Sequence, residues 1–112
     1  MNLPISSYDA ISDGSRRRIL DMLRQGGLPA GVIAGRFREI SRPAVSKHLA
    51  ILRRSRLVSI HKRGRERIYT LNAAPLKEVS GWLKKYERLW DLQLESFKQH
   101  VESESKGGKN EG

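Results

Sequence analysis

The stretch SRPAVSKHLAILRRSRL, residues 41–57, decides how this chain is read. Ser41 is a good helix N-cap, because its hydroxyl can accept from a free backbone N–H of the first turn. Pro43 falls in that first turn, where a missing N–H costs nothing. Val45, Leu49 and Leu52 then recur at helical spacing and make one narrow apolar stripe. Arg42, Ser46, Lys47, Arg53 and Arg54 lie off the stripe, and Ser46 and Lys47 project away from it. Such a helix can pack its back on a small domain and still show donors outward. Those donor types suit phosphates and guanine edges. An ordinary solvated amphipathic helix would show the same stripe, so the neighbouring sequence has to separate the two.

Composition narrows the partner. The 112 residues predict one domain, with a core small enough that a second subunit would help. Lys and Arg number 22 against 12 Asp and Glu, for a net charge of +10. A polyanion is the expected partner, nucleic acid first and an acidic membrane surface second. Residues 36–67 carry eleven of the basic residues and only two acidic ones, Glu39 and Glu66. Nearly the whole excess therefore sits in one third of the chain. There is no cysteine, which excludes disulfides and thiolate metal sites. No apolar run reaches membrane-spanning length. The start, MNLPISSYDAIS, lacks the basic flank and apolar run of a signal peptide, and a cytoplasmic location is expected.

Upstream, Leu3, Ile5, Tyr8 and Ile11 are spaced for a short helix after Pro4. Asp13 is the next N-cap, and SRRRILDMLRQ follows with Ile19, Leu20 and Leu23 as its apolar face, ending at Gly26-Gly27. Arg16, Arg17 and Arg18 crowd its first turn, against the helix dipole at roughly 0.3–1 kcal/mol each. A phosphate at that helix start would reverse the sign. Arginine stems covering core edges, or pairing with Asp13 and Asp21, would account for them equally well. Residues 28–38 read as another short helix, from Pro29-Ala30 with Val32, Ile33 and Phe37 on one face. Two short helices and a tight turn, the second exposing polar groups, form a helix-turn-helix pattern.

Downstream, the period changes to two. Val58 and Ile60 alternate with Ser59 and His61, and Ile68 and Thr70 with Tyr69 and Leu71. The turn between them centres on Gly64, which predicts a β-hairpin tipped by Lys62, Arg63, Arg65 and Arg67. A groove or a phosphate ridge is a natural home for four such cations. From Pro75 a long helix is expected to residue 101. Leu76, Val79, Leu83, Tyr86, Trp90, Leu94, Phe97 and Val101 form its stripe, widened by Trp82 and Leu89. About 26 residues span roughly 39 Å, more than the preceding small domain can cover. A second copy of the same helix is the simplest cover. Residues 102–112, charged and Gly-rich, read as a disordered tail beyond a domain of residues 1–101.

The segments SDGSRRRILDML, SRPAVSKHLAILRRSRLV and KRGRERIYTLN together resemble the ArsR-type winged helix-turn-helix repressors. The likeness covers roughly residues 5 to 100. The expected fold is mainly α with a small β-hairpin (α+β), a winged helix-turn-helix dimeric through its terminal helices. The resemblance implies a homodimeric repressor on a palindromic operator in double-stranded DNA. Helix 41–54 would enter the major groove and residues 62–67 would form the wing. It implies DNA contacts from Arg16, Ser41, Arg42, Pro43, Ser46, Lys47, His48, Arg53, Arg54, Lys62, Arg63, Gly64, Arg65 and Arg67. Its dimer interface would use Leu3, Ile5, Tyr8, Trp82, Leu83, Tyr86, Trp90, Leu94 and Phe97. The cysteine motif of the metal sensors would fall near Ala30 to Phe37 and is absent. Asp91, His100 and Glu104 on the last helix make a poor alternative, so no metal or other cofactor is expected. His48, His61 and His100 lack the nucleophile or carboxylate pattern of an enzyme, and no phosphate-binding glycine loop occurs. Three readings compete: a sequence-specific repressor, a non-specific nucleic-acid binder, and a protein-interaction module. Arg42, Ser46 and Lys47 favour the first, because they can read base edges where bare charge cannot.

Overall fold

Helix α4 spans Arg42–Arg54 and follows its sequence signals closely. The Ser41 hydroxyl accepts from the Ala44 N–H at 3.2 Å, and Pro43 occupies the first turn. Val45, Leu49 and Leu52 are buried to 2% exposure or less. The helix ends on a reversal that composition does not announce. The N–H of Leu57 donates to Leu52 and that of Arg56 to Arg53, both at 3.0 Å. This is the Schellman arrangement, with Arg56 at φ 64° where glycine is usual. Leu57 and Leu52, both fully buried, supply its hydrophobic contact. The Asn72 amide donates to the Arg56 carbonyl at 3.0 Å. These partners hold a conformation that costs roughly 1–2 kcal/mol in an L-residue.

The computed structural model describes the backbone of residues 4–111 and the side chains of residues 4–104; Leu3 lies outside the described residues. The chain divides into two units, residues 1–79 and 80–112. In the first, α1 (Ser7–Ala10) starts at Ser6, whose hydroxyl accepts from Asp9. Helix α2 (Gly14–Met22) starts at Asp13, whose carboxylate accepts from the Arg16 N–H, and a 3₁₀ turn, Leu23–Gln25, leads to Gly26. Helix α3 (Ala30–Gly35) is only six residues long. Ile19, Leu23, Ile33, Phe37, Val45, Leu49, Leu52, Leu57 and Val58 close one core around these helices. Val32, expected beside Ile33 and Phe37, is 42% exposed. Ile33 faces the core and Val32 is a step of about 100° off it, while Phe37 is buried from beyond the end of α3.

The hairpin forms as β2 (Val58–Arg63) and β3 (Glu66–Leu71). Its register runs from Val58↔Leu71 to Arg63↔Glu66 and leaves Gly64-Arg65 as a two-residue turn. Gly64 has φ 62° and Arg65 does not share the positive value, the pattern of a type II′ turn. The expected two-stranded hairpin is in fact part of a three-stranded sheet. A two-residue strand, β1 (Leu28–Pro29), pairs antiparallel with β3, giving the order β1-β3-β2. Pro29 cannot donate to a ladder, which confines β1 to an edge. Gly27 permits the approach: a Cβ there would stand 2.6 Å from the Ile68 Cγ2 and 2.8 Å from the Thr70 Cγ2.

Helix α5 spans Leu76–Glu111. Its first turn belongs to the first unit, with Val79 buried and the Tyr8 hydroxyl donating to the Glu78 carbonyl at 3.0 Å. In the second unit, Trp82 meets Tyr86 edge-on with centroids 5.2 Å apart. Tyr86 stacks on Trp90 at 6.3 Å. Trp82, Leu83, Tyr86, Leu89, Trp90, Leu94, Phe97 and Val101 are all at least 36% exposed. The segment read as a tail from residue 102 has a helical backbone to Glu111. Its side chains from residue 105 lie outside those described.

Candidate nucleic-acid interface

With Val45, Leu49 and Leu52 turned inward, Ser41, Arg42, Pro43, Ser46, Lys47, Ala50 and Arg53 are exposed on α4, and Arg54 is half-buried. Ala50 was not among the candidates. It leaves a low spot between Ser46 and Arg53, where an approaching surface meets only a methyl group. Ser46, Leu49, Ala50, Arg53 and Arg54 line an open cleft of about 370 Å³ together with Tyr69 of β3. Tyr69 was not among the candidates either. Strand alternation alone cannot say that its side of the sheet borders α4.

The wing carries Lys62, Arg63, Gly64, Arg65 and Arg67, all exposed. Lys62 stands directly across from Arg67, and Arg63 across from Glu66. Like charges directly opposite on a ladder repel. The hairpin therefore holds its cations at some expense to itself, while Glu66 relieves one pair. Successive pairs point to opposite faces of the ribbon, so Lys62 and Arg67 share one face and the balanced Arg63–Glu66 pair the other.

The three arginines of α2 are engaged inside the domain. The Arg16 Nε donates to the Ala10 carbonyl at 2.6 Å and its Nη2 to the Asp9 carbonyl at 3.2 Å. The Arg17 Nη1 donates to the Ile11 carbonyl at 2.7 Å. These acceptors close the C-terminal end of α1, where cations are favoured. Arg18 pairs with Glu39 and lies 4.4 Å over the Phe37 ring. The structure thus brings together residues far apart in sequence: the Arg16 Nη1 lies 3.2 Å from the Nδ1 of His48 on α4. Asp13 Oδ2 lies 3.9 Å from the same nitrogen.

Two carboxylates titrate away from their ordinary values. The hydrogen bond from the Arg16 backbone N–H holds Asp13 below the usual range. The cap it makes is fully present at neutral pH and is lost as pH falls through the lowered value. A side-chain hydrogen bond from Arg18 lowers Glu39. Both shifts stabilise charged forms with structural partners, Asp13 as the cap of α2 and Glu39 as the partner of Arg18, and neither poises a group for proton transfer. Among the described residues no cluster of three or more His, Asp or Glu side chains could hold a metal ion. His100 Nε2 pairs with Glu104 at 2.9 Å.

This geometry agrees with comparisons to known proteins. The helix-turn-helix domain family matches residues 11–61. The transcriptional repressor SdpR of Bacillus subtilis is 40% identical over 87 residues, 78% of this chain and 96% of that protein. A crystal structure of an ArsR family transcriptional regulator is 30% identical, with a TM-score of 0.64 over 75% of this chain and 91% of that one. The chain belongs to the ArsR family of winged helix-turn-helix transcriptional regulators. The HTH-type transcriptional regulator Rv2034 of Mycobacterium tuberculosis is 37% identical over 101 residues, 90% of this chain and 91% of that one. As an ArsR-family protein the chain is a DNA-binding regulator, not an enzyme. Lacking any cysteine, it fits the family's metal-independent branch. No helix among the described residues is long and apolar enough to cross a membrane.

Proposed function

We propose that the protein is a homodimeric, cytoplasmic repressor that binds a palindromic operator in double-stranded DNA. One observation carries this reading: α4 buries a three-residue apolar back while leaving Arg42, Ser46, Lys47 and Arg53 exposed on its other side. Arg42, Ser46 and Lys47 read base edges in the major groove. Ser41, Pro43, Arg53 and Arg54 border that contact, and Lys62, Arg63, Gly64, Arg65 and Arg67 follow the adjacent backbone or minor groove. The α5 stripe, with Trp82, Leu83, Tyr86, Trp90, Leu94 and Phe97, pairs with its copy in a second chain. Ile5 and Tyr8 contribute less, since Ile5 packs on the core and Tyr8 is bonded to Glu78. Residues 1–101 form the functional domain, and residues 102–112 add nothing to operator affinity.

Fragments selected from the source genome by the purified protein should converge on one inverted repeat. Its footprint should show two half-sites one helical turn apart, about 10–10.5 base pairs, or a multiple. Bound fragments that share no sequence would instead indicate a non-specific DNA binder. Operator affinity should be the same in chelator and in added zinc. A change of tenfold, about 1.4 kcal/mol, would show that a metal site controls binding.

A further inference from the structure

Arg16 has two ways to serve DNA binding: by touching the duplex, or by arranging something that does. Its guanidinium is already engaged inside the domain, on Ala10 O, Asp9 O and His48 Nδ1. A guanidinium has only donors to offer. At 3.2 Å the contact therefore requires His48 Nδ1 to be the acceptor, which leaves the ring proton of the neutral imidazole on Nε2. Asp13 Oδ2, at 3.9 Å, is beyond hydrogen-bond reach of Nδ1 and does not compete for it. Among the described residues Nε2 has no hydrogen-bond partner, and it is not among the buried unsatisfied polar atoms. It therefore keeps some exposure, on a side chain that is 18% exposed and belongs to the helix proposed to face DNA. His48 sits on the flank of α4, half-buried, rather than among the fully exposed residues. A flank position suits the duplex backbone better than base edges.

We infer that Arg16 is a positioning residue: it holds His48 as an Nε2–H donor aimed at a DNA phosphate oxygen and makes no phosphate contact itself. The inference rests on the proposed DNA-binding mode and deepens it. A neutral donor adds a hydrogen bond without neutralising a phosphate, so its loss lowers affinity and leaves the salt slope alone.

The test is a double-mutant cycle on operator DNA at several salt concentrations, with Arg16→Met, His48→Ala and the pair. Each single change should weaken binding roughly tenfold, the pair no more than either alone, and the salt slope should not move. Additive losses overturn the inference. So does a slope lowered by about one unit in Arg16→Met, the mark of a direct phosphate contact, and so does an unaffected Arg16→Met. Nitrogen NMR of the free protein adds an arm that needs no operator: the neutral His48 ring should carry its proton on Nε2. A proton on Nδ1 contradicts the inference even if the wild-type chain binds DNA as proposed. A wild-type chain with no operator contradicts the functional reading alone.

Discussion

A chain carrying Trp90→Glu and Leu94→Glu should sediment as a monomer at micromolar concentration and lose operator affinity by about a hundredfold or more. Both side chains are exposed, at 44% and 66%, within a stripe that continues to Phe97 and Val101. Buried aromatic side chains bring 150–250 Å² each out of water, roughly 25 cal/mol per Å². Glutamates facing their own copies across a two-fold axis would replace that gain with repulsion and with carboxylates stripped of water. Affinity follows because two linked recognition helices bind the second half-site as an intramolecular event, worth about 10²–10⁴ over one helix alone. Analytical ultracentrifugation checks the assembly and operator titration the affinity. A wild-type chain that is already monomeric, or a doubly substituted chain that stays dimeric, would rule out the α5 interface.

Leu52→Ala should destabilise the protein by about 2–5 kcal/mol. Leu52 has no exposed surface. It serves three parts at once: the apolar back of α4, the contact with Leu57 that closes the helix, and the carbonyl that accepts from both Leu57 N and the Ser55 hydroxyl. The shortened side chain leaves a cavity where neighbours are fixed by short helices and a tight reversal, so relaxation is limited. Against a total of roughly 5–15 kcal/mol the effect is severe. Urea denaturation should show a lower midpoint with an unchanged slope. A shift worth less than 1 kcal/mol would mean that α4 does not depend on this packing.

Helices α2, α4 and α5 were legible because their signals are local. Ser41 and Asp13 cap α4 and α2, Gly26 ends the 3₁₀ turn that follows α2, and the 3–4 spacing of Val45, Leu49 and Leu52 marks the buried side of α4. The hairpin was legible through its change of period and through Gly64. β1 was not, since two residues have no periodicity and a proline there signals a helix start more strongly than a strand. Arg56 at a left-handed position could not be foreseen either. Only its tertiary partners, Asn72 and the Leu52–Leu57 contact, make an arginine tolerable where glycine is expected. That the wing cations and the front of α4 are exposed was legible from charge and spacing. Tyr69 was not, because its place beside Ser46 and Arg53 depends on how the sheet meets the helix. The arginine triplet shows the same limit: sequence reveals three cations opposed to a dipole, but only the fold reveals that the end of α1 and Glu39 answer them.

In the proposed binding mode α4 reads sequence and the wing supplies affinity, and salt separates the two most directly. Single truncations of Arg42, Ser46, Lys47, Arg63 and Arg65 should be titrated against operator and scrambled DNA over a range of salt. In the α4 set, the preference for operator should fall by roughly 1–3 kcal/mol for each bidentate base interaction removed. In the wing set, both DNAs should weaken about equally and the salt slope should fall by about one unit for each phosphate interaction removed. The opposite pattern would contradict this division of roles: Arg63 and Arg65 variants losing specificity at an unchanged slope while Ser46 and Lys47 variants weaken uniformly would make the hairpin the reader and α4 the clamp.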